Sequence, residues 1–143
     1  MAFNFLDDGK VKFQVESFEA GLQAFNSRFA APLHNSIIYC NSINAGTQER
    51  FRFIDVGSGE FAMQAANGKF VKVNLNNGAV LEACADSVQD WEKFNLVKHG
   101  DGTLSIRSKA TGKLVCSDQN YGRHLIADRE KPSAWERFKF VIL

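Results

Sequence analysis

The chain has 143 residues and a formal net charge of +1, with 17 Lys and Arg set against 16 Asp and Glu that are mixed along its length. That balance argues against a phosphate-backbone partner, which leaves a basic stripe or patch, so no nucleic acid is expected. No apolar run is long enough to predict membrane insertion, and the length suits one domain over residues 1–143 whose core needs no metal or disulfide staple.

In chain order, Met1 to Lys10 carries Asp7 and Asp8 and no apolar signal-peptide region, so the chain as it stands reads as cytoplasmic; an excerpted module of a larger protein would be extracellular. Lys10 to Gln14 alternates with period two and predicts a strand. Val15 to Arg28 is the best helix candidate, because Phe18, Leu22 and Phe25 fit a 3.6-residue period. Further period-two strands are predicted at Arg50 to Asp55, Phe70 to Leu75, Ala79 to Ala83, Lys93 to Val97, Leu104 to Ser108, Lys113 to Ser117 and Arg137 to Leu143. Between them fall Gly57-Ser58-Gly59, Asn67-Gly68, Asn76-Asn77-Gly78, Gly100-Asp101-Gly102, Thr111-Gly112 and Tyr121-Gly122, which supply the positive backbone angles of tight hairpins. Cys40, Cys84 and Cys116 form no Cys-x-x-Cys pair and have no His at ligand spacing. They are expected to be free thiols acting as small buried hydrophobes on strands, and no metal or cofactor is expected.

These elements repeat. Gln48-Glu49-Arg50-Phe51, Trp91-Glu92-Lys93-Phe94 and Trp135-Glu136-Arg137-Phe138 recur at intervals of 43 and 44 residues. Ile38, Leu81 and Leu125 each lie ten residues before the first position of that motif, which fixes the register. Asn26-Ser27-Arg28-Phe29, Asn67-Gly68-Lys69-Phe70 and Thr111-Gly112-Lys113-Leu114 are a common turn leading into a strand, preceded by Leu22-Gln23, Met63-Gln64 and Ile106-Arg107. The repeat therefore overrides the helix at Val15 to Arg28. A fixed period of this size means supersecondary units that cannot bury an apolar face alone.

Three units of about four strands, roughly 10–57, 58–100 and 101–143, predict an all-β fold: a β-trefoil with pseudo-threefold symmetry, built from a six-stranded barrel and a hairpin cap. Closure removes exposed strand edges. Three blades fall below the usual propeller count, and an open solenoid needs distinct polar caps. Val11 to Val15 and Phe138 to Ile142 are expected to lie side by side and seal the barrel.

Ala62-Met63-Gln64-Ala65-Ala66-Asn67-Gly68-Lys69-Phe70-Val71, Asn77-Gly78-Ala79-Val80-Leu81-Glu82-Ala83 and Asp90-Trp91-Glu92-Lys93-Phe94 resemble the repeat of the fascin-type, actin-crosslinking-like β-trefoils. Unit two matches best, unit three well and unit one weakly. The resemblance implies the trefoil fold; for activity it spans actin-bundling proteins, hisactophilin-like proteins and carbohydrate-binding modules, so function has to come from the site.

Strand parity puts Phe94 with Leu96, Phe138 with Phe140 and Phe51 with Phe53 on the core face, and Trp91 and Trp135 on the opposite parity if the strand extends back to them. An outward indole beside a carboxylate suits sugar recognition, the ring covering a pyranose C–H face and the acid accepting hydroxyl hydrogen bonds. The alternative places both indoles on a turn over the barrel end, with Glu49, Glu92 and Glu136 bonded to backbone amides. Gln48 replaces the indole in unit one, which signals either a degraded site or a repacking around Phe25 and Phe29. Tyr121 and Asn77, the latter with Asn74 and Asn76, are candidate contacts at the same rim, although turn asparagines often serve only the turn.

No enzyme is predicted. His34, His99 and His124 are scattered outside any nucleophile, metal or phosphate-loop motif, and adjacent Asp7 and Asp8 diverge too much for glycosidase acid/base work. The expected function is a non-catalytic lectin or polysaccharide-binding module, with glycans held on units two and three at Trp91, Glu92, Trp135 and Glu136. The alternative is an intracellular actin-binding or protein-interaction trefoil of the fascin or hisactophilin type.

Overall fold

The computed structural model describes residues 3–5, 11–33, 35–119 and 124–142, with side chains from residue 14 onward. A short hairpin of β1 (Phe3–Phe5) and β2 (Val11–Phe13) precedes three four-stranded units. Unit one holds β3 (Ser17–Gln23), β4 (Phe29–Pro32), β5 (Ile38–Ser42) and β6 (Arg50–Gly57). Unit two holds β7 (Glu60–Gln64), β8 (Phe70–Asn74), β9 (Val80–Ala85) and β10 (Phe94–Lys98). Unit three holds β11 (Leu104–Ser108), β12 (Leu114–Ser117), β13 (Leu125–Arg129) and β14 (Lys139–Ile142).

The first and last strands of each unit close into a barrel of six, pairing in the cycle β3, β6, β7, β10, β11, β14 and back to β3. The β11 to β14 joint is narrow, carried by reciprocal backbone hydrogen bonds between Leu104 and Phe138 of 2.9 and 2.8 Å. The inner strands make three hairpins, β4–β5, β8–β9 and β12–β13. Single bridges, Ile37 to Glu82, Val80 to Ile126 and Tyr39 to His124, tie the hairpins to one another in a triangular cap. The fold is a β-trefoil.

Equivalent registers express the threefold relation. Phe51 pairs with Ala20, Phe94 with Phe61 and Phe138 with Leu104, three partners that each lie two residues before Leu22, Met63 and Ile106 in their units. Phe51, Phe94 and Phe138 are all buried in one core with Leu81, Leu125 and Ile38. The alternation works as period two requires: Phe51 and Phe53 are buried while Arg50 and Arg52 are exposed. Phe53 packs 5.2 Å from Phe18, 4.7 Å from Phe140 and 6.0 Å from Phe61, which in turn lies 6.0 Å from Phe94. Offset and tilted rings at these separations add about 0.5–1.5 kcal/mol per pair beyond area burial. Gly21 leaves room for the Phe29 ring, since a Cβ there would meet Phe29 Cδ1 at 3.1 Å.

Two expectations change. The strand that seals the barrel against β14 is β3, Ser17–Gln23, whereas Val11–Phe13 pairs with Phe3–Phe5 outside the barrel. Both stretches alternate, but β3 supplies Ala20 and Leu22 to the core. Cys40 and Cys116 are buried, yet Cys84 is exposed, because its neighbour Ala83 takes the inward parity on β9. No helix of the described residues is long and apolar enough to cross a membrane.

Candidate functional site

Each unit enters its last barrel strand through a one-turn 3-10 segment: Thr47–Glu49, Asp90–Glu92 and Ala134–Glu136. Trp91 and Trp135 therefore sit on turns and not on a backward extension of the strand. The glutamate that follows reaches back to the residue preceding the turn. Glu49 Oε1 accepts the Gly46 N–H at 2.8 Å, Glu92 Oε1 the Gln89 N–H at 2.7 Å, and Glu136 Oε1 the Ser133 N–H at 2.7 Å. This is the carboxylate half of a capping box, which satisfies a backbone donor that the short turn leaves unpaired. Glu92 and Glu136 are each 3 % exposed, so their carboxylates brace the turn from within.

The second carboxylate oxygen is treated differently in the three units. Ser42 donates its hydroxyl to Glu49 Oε2 at 3.0 Å. In the equivalent place of unit three, the Arg129 guanidinium lies 3.9 Å from Glu136 Oε2, while bonding Asp118 at 2.9 Å and Asp128 at 3.0 Å. Unit two has Ala85 there. Beneath the unit-three turn, burial and a hydrogen bond to Glu136 push the Cys116 thiol far above the usual range.

The indoles project from these braced turns. Trp91 is 43 % exposed and lines an open depression with Gln89, Asp90 and, from the next unit, Lys109 and Ala110. Lys109 Nζ lies 3.7 Å from Asp90 and 3.4 Å from Glu60, so one ammonium is shared by two carboxylates at the charged edge of this depression. Trp135 is half-buried and lines a second depression with Arg129, Glu130, Lys131, Ser133, Ala134 and Glu136. Each depression thus joins one flat apolar ring to nearby donors and acceptors, a combination suited to a ligand with an apolar face and polar edges. Gln48, at the third equivalent turn, is exposed and offers no ring.

The remaining candidates lie elsewhere. Asn77 is exposed in the Leu75–Asn77 turn at the tip of the β8–β9 hairpin, with all of β9 between it and the Trp91 turn, and its amide donates to Glu82 at 3.3 Å. Asn74 bonds the same carboxylate at 2.8 Å and accepts the Asn76 N–H at 3.0 Å, so this asparagine group closes the hairpin. Tyr121 and His34 lie outside the described residues. Phe29 is buried while Phe25 is 52 % exposed, so only the first packs unit one. Lys109, Ala110, Arg129 and Lys131 escaped the sequence reading because they reach the indoles through strand pairing and loop return. Among the described residues no group of three or more His, Cys, Asp and Glu gathers as a metal site.

No protein-family model matches the chain, and comparison with characterised protein sequences finds no match. Solved structures do match. The chain is similar to ThreeFoil, a designed threefold-symmetric protein, with TM-score 0.79 and 20 % identity over 87 % of this chain and 99 % of that one. It is similar to the BEL β-trefoil, with TM-score 0.77 and 13 % identity over 92 % and 97 % of the two chains. It is also similar to the Polyporus squamosus lectin bound to a human-type influenza-binding epitope, with TM-score 0.74 and 14 % identity over 90 % of this chain and 50 % of the lectin chain. At these identities the likeness is one of fold.

Proposed function

We propose that this chain is a non-catalytic carbohydrate-binding β-trefoil, a lectin or polysaccharide-binding module, with its sites at the Trp91 and Trp135 turns. The observation that carries the reading is the repetition itself: two indoles at equivalent braced turns, each beside an open depression with polar edges. A pyranose presents a C–H face to such a ring and its hydroxyls to the flanking groups. Glu92 and Glu136 act as positioning residues, holding the turn that carries the indole. Gln48 leaves unit one with a weak site or none.

Two sites on one rigid body favour polysaccharides over monosaccharides, because a chain held at one site is presented repeatedly to the other. The fold shared with a solved lectin supports the reading. The second reading, an actin-binding or protein-interaction trefoil, rests on the fascin-type resemblance of unit two; a single unit of net charge +1 gives it less to work with. Electrophoresis through gels cast with soluble galactan, β-glucan, mannan or xylan, beside actin co-sedimentation, separates the two. Retention in at least one gel with no actin pelleting is the expected outcome.

A further inference from the structure

The Trp91 depression carries an acid and an ammonium from separate segments of the chain, side by side at the edge of the ring. The pairing of Phe94 with Phe61 brings the start of β7 to this corner, and the pairing of Phe94 with Ser108 brings the end of β11 there. Lys109, just beyond β11, donates its N–H to the Lys93 carbonyl at 3.0 Å, which fixes its backbone next to the Asp90–Glu92 turn. Its side chain is held by Glu60, a largely buried carboxylate at the head of β7, at 3.4 Å.

So held, Lys109 Nζ stands 3.7 Å from Asp90 Oδ1. That separation is too long for a direct hydrogen bond, and a gap of this size between polar groups is where a further oxygen bridges. The Asp90 side chain is 67 % exposed, and its carboxylate accepts no hydrogen bond among the described residues. An ion pair this exposed adds only about 0–1 kcal/mol to stability, so the fold gains little from it. The pair is particular to this corner. Ala134 stands one residue before Trp135 where Asp90 stands before Trp91, and the cation beside Trp135, Arg129, spends its hydrogen bonds on Asp118 and Asp128 at 2.9 and 3.0 Å.

We propose that Asp90 and Lys109 are the specificity-determining pair of the Trp91 site, and that they read two adjacent free hydroxyls on a neutral pyranose whose C–H face covers the indole. The inference rests on the carbohydrate reading above. One hydroxyl donates to the carboxylate while its neighbour accepts from the ammonium, both charge-assisted bonds. A uronate or sulfate at the same edge would bring its charge against Asp90 and Glu60 with one ammonium between them. Linkage then sets affinity. A polysaccharide linked through position four keeps adjacent free hydroxyls at positions two and three of every ring, whereas one linked through position three keeps only separated ones, at positions two and four.

The chain's 2 tryptophans allow each corner to be read separately. Trp135→Ala leaves Trp91 as the sole indole reporter, and Trp91→Ala leaves Trp135. Each is titrated by intrinsic fluorescence with soluble four-linked and three-linked polysaccharides of galactose, glucose, mannose or xylose, alone and combined with Asp90→Ala or Lys109→Met. At the Trp91 reporter the four-linked form should bind roughly threefold to tenfold more tightly than the three-linked form of the same sugar, the range one hydrogen bond is worth. Asp90→Ala and Lys109→Met should each remove that preference and leave the Trp135 reporter unchanged. Both side chains lie at the surface, so all these variants should melt with their parents. Equal affinity for the two linkages at Trp91, a preference that survives both substitutions, or the same loss at both corners overturns the pair while leaving the carbohydrate reading in place. Failure of every one of these polysaccharides to bind the unaltered chain overturns both.

Discussion

Glu136 holds the backbone N–H of Ser133 at 2.7 Å from a position 3 % exposed, so the turn that presents Trp135 is anchored from inside the protein. The Glu92 to Gln89 bond repeats the arrangement at the same length. In the proposed sugar site such bracing would favour binding, because the turn need not be ordered when a ligand arrives.

Removing the brace should cost stability in proportion to its burial. Glu92→Ala and Glu136→Ala each leave a partly buried backbone donor unpaired and are expected to cost about 1–3 kcal/mol. Glu49→Ala, whose Gly46 partner is exposed to solvent, should cost less. Urea midpoints at constant slope check the order; a larger loss from Glu49→Ala than from Glu136→Ala contradicts it.

The core prediction concerns Leu81, fully buried at the centre of unit two. Leu81→Ala should cost about 2–5 kcal/mol through lost transfer energy and the cavity left behind. Leu75→Ala, on the exposed tip of the same hairpin, should stay within about 0.5 kcal/mol of the parent. Thermal and chemical melts of the pair give the comparison.

The three cysteines should react as two classes. Burial pushes the Cys40 thiol up to about 12, and Cys116 is raised by burial and by its bond to Glu136, whereas Cys84 is exposed. A thiol reagent at pH 8 should label one group in the native protein and three after denaturation. Because the folded pKa of Cys40 lies above its unfolded value of about 8.5, the unfolded chain loses that proton first as pH rises. The Cys40 contribution is whole below pH 8.5 and declines above it. Cys40→Ala should flatten the fall in stability between about pH 8.5 and 10; an unchanged slope contradicts the assignment.

Much of the fold was legible because the repeat supplied three copies of each signal. Phe51, Phe94 and Phe138 could be assigned to one core before any pairing was known, and they share it. Val11 to Val15 misled because local alternation is the same for a barrel strand and for an accessory hairpin; only partner choice, here β14 for Ser17–Gln23, tells them apart. The turn that carries each indole, with its glutamate bonded to a backbone amide, was one of two readings the sequence left open, since three residues are too few for a periodic signal to choose between a turn and a strand extension. Once the turns are seen, the shared glutamate takes its capping role, and the tryptophan next to it is released from strand parity. Cross-unit neighbours such as Lys109 beside Trp91 depend on register between separate strands, which no local pattern encodes.

In the proposed function Trp91 and Trp135 bind sugar chains and do not merely pack. The direct measurement is the mobility of Trp91→Ala, Trp135→Ala and the double variant in gels containing the polysaccharide that retains the unaltered chain, with thermal melts run in parallel. Each single replacement should sharply reduce retention, the double replacement should abolish it, and the melts should stay close to the parent, as expected for a 43 % exposed ring at Trp91. If the single variants instead lose several degrees of stability while their folded fraction is retained as strongly as the parent, the indoles are packing residues and the account is contradicted.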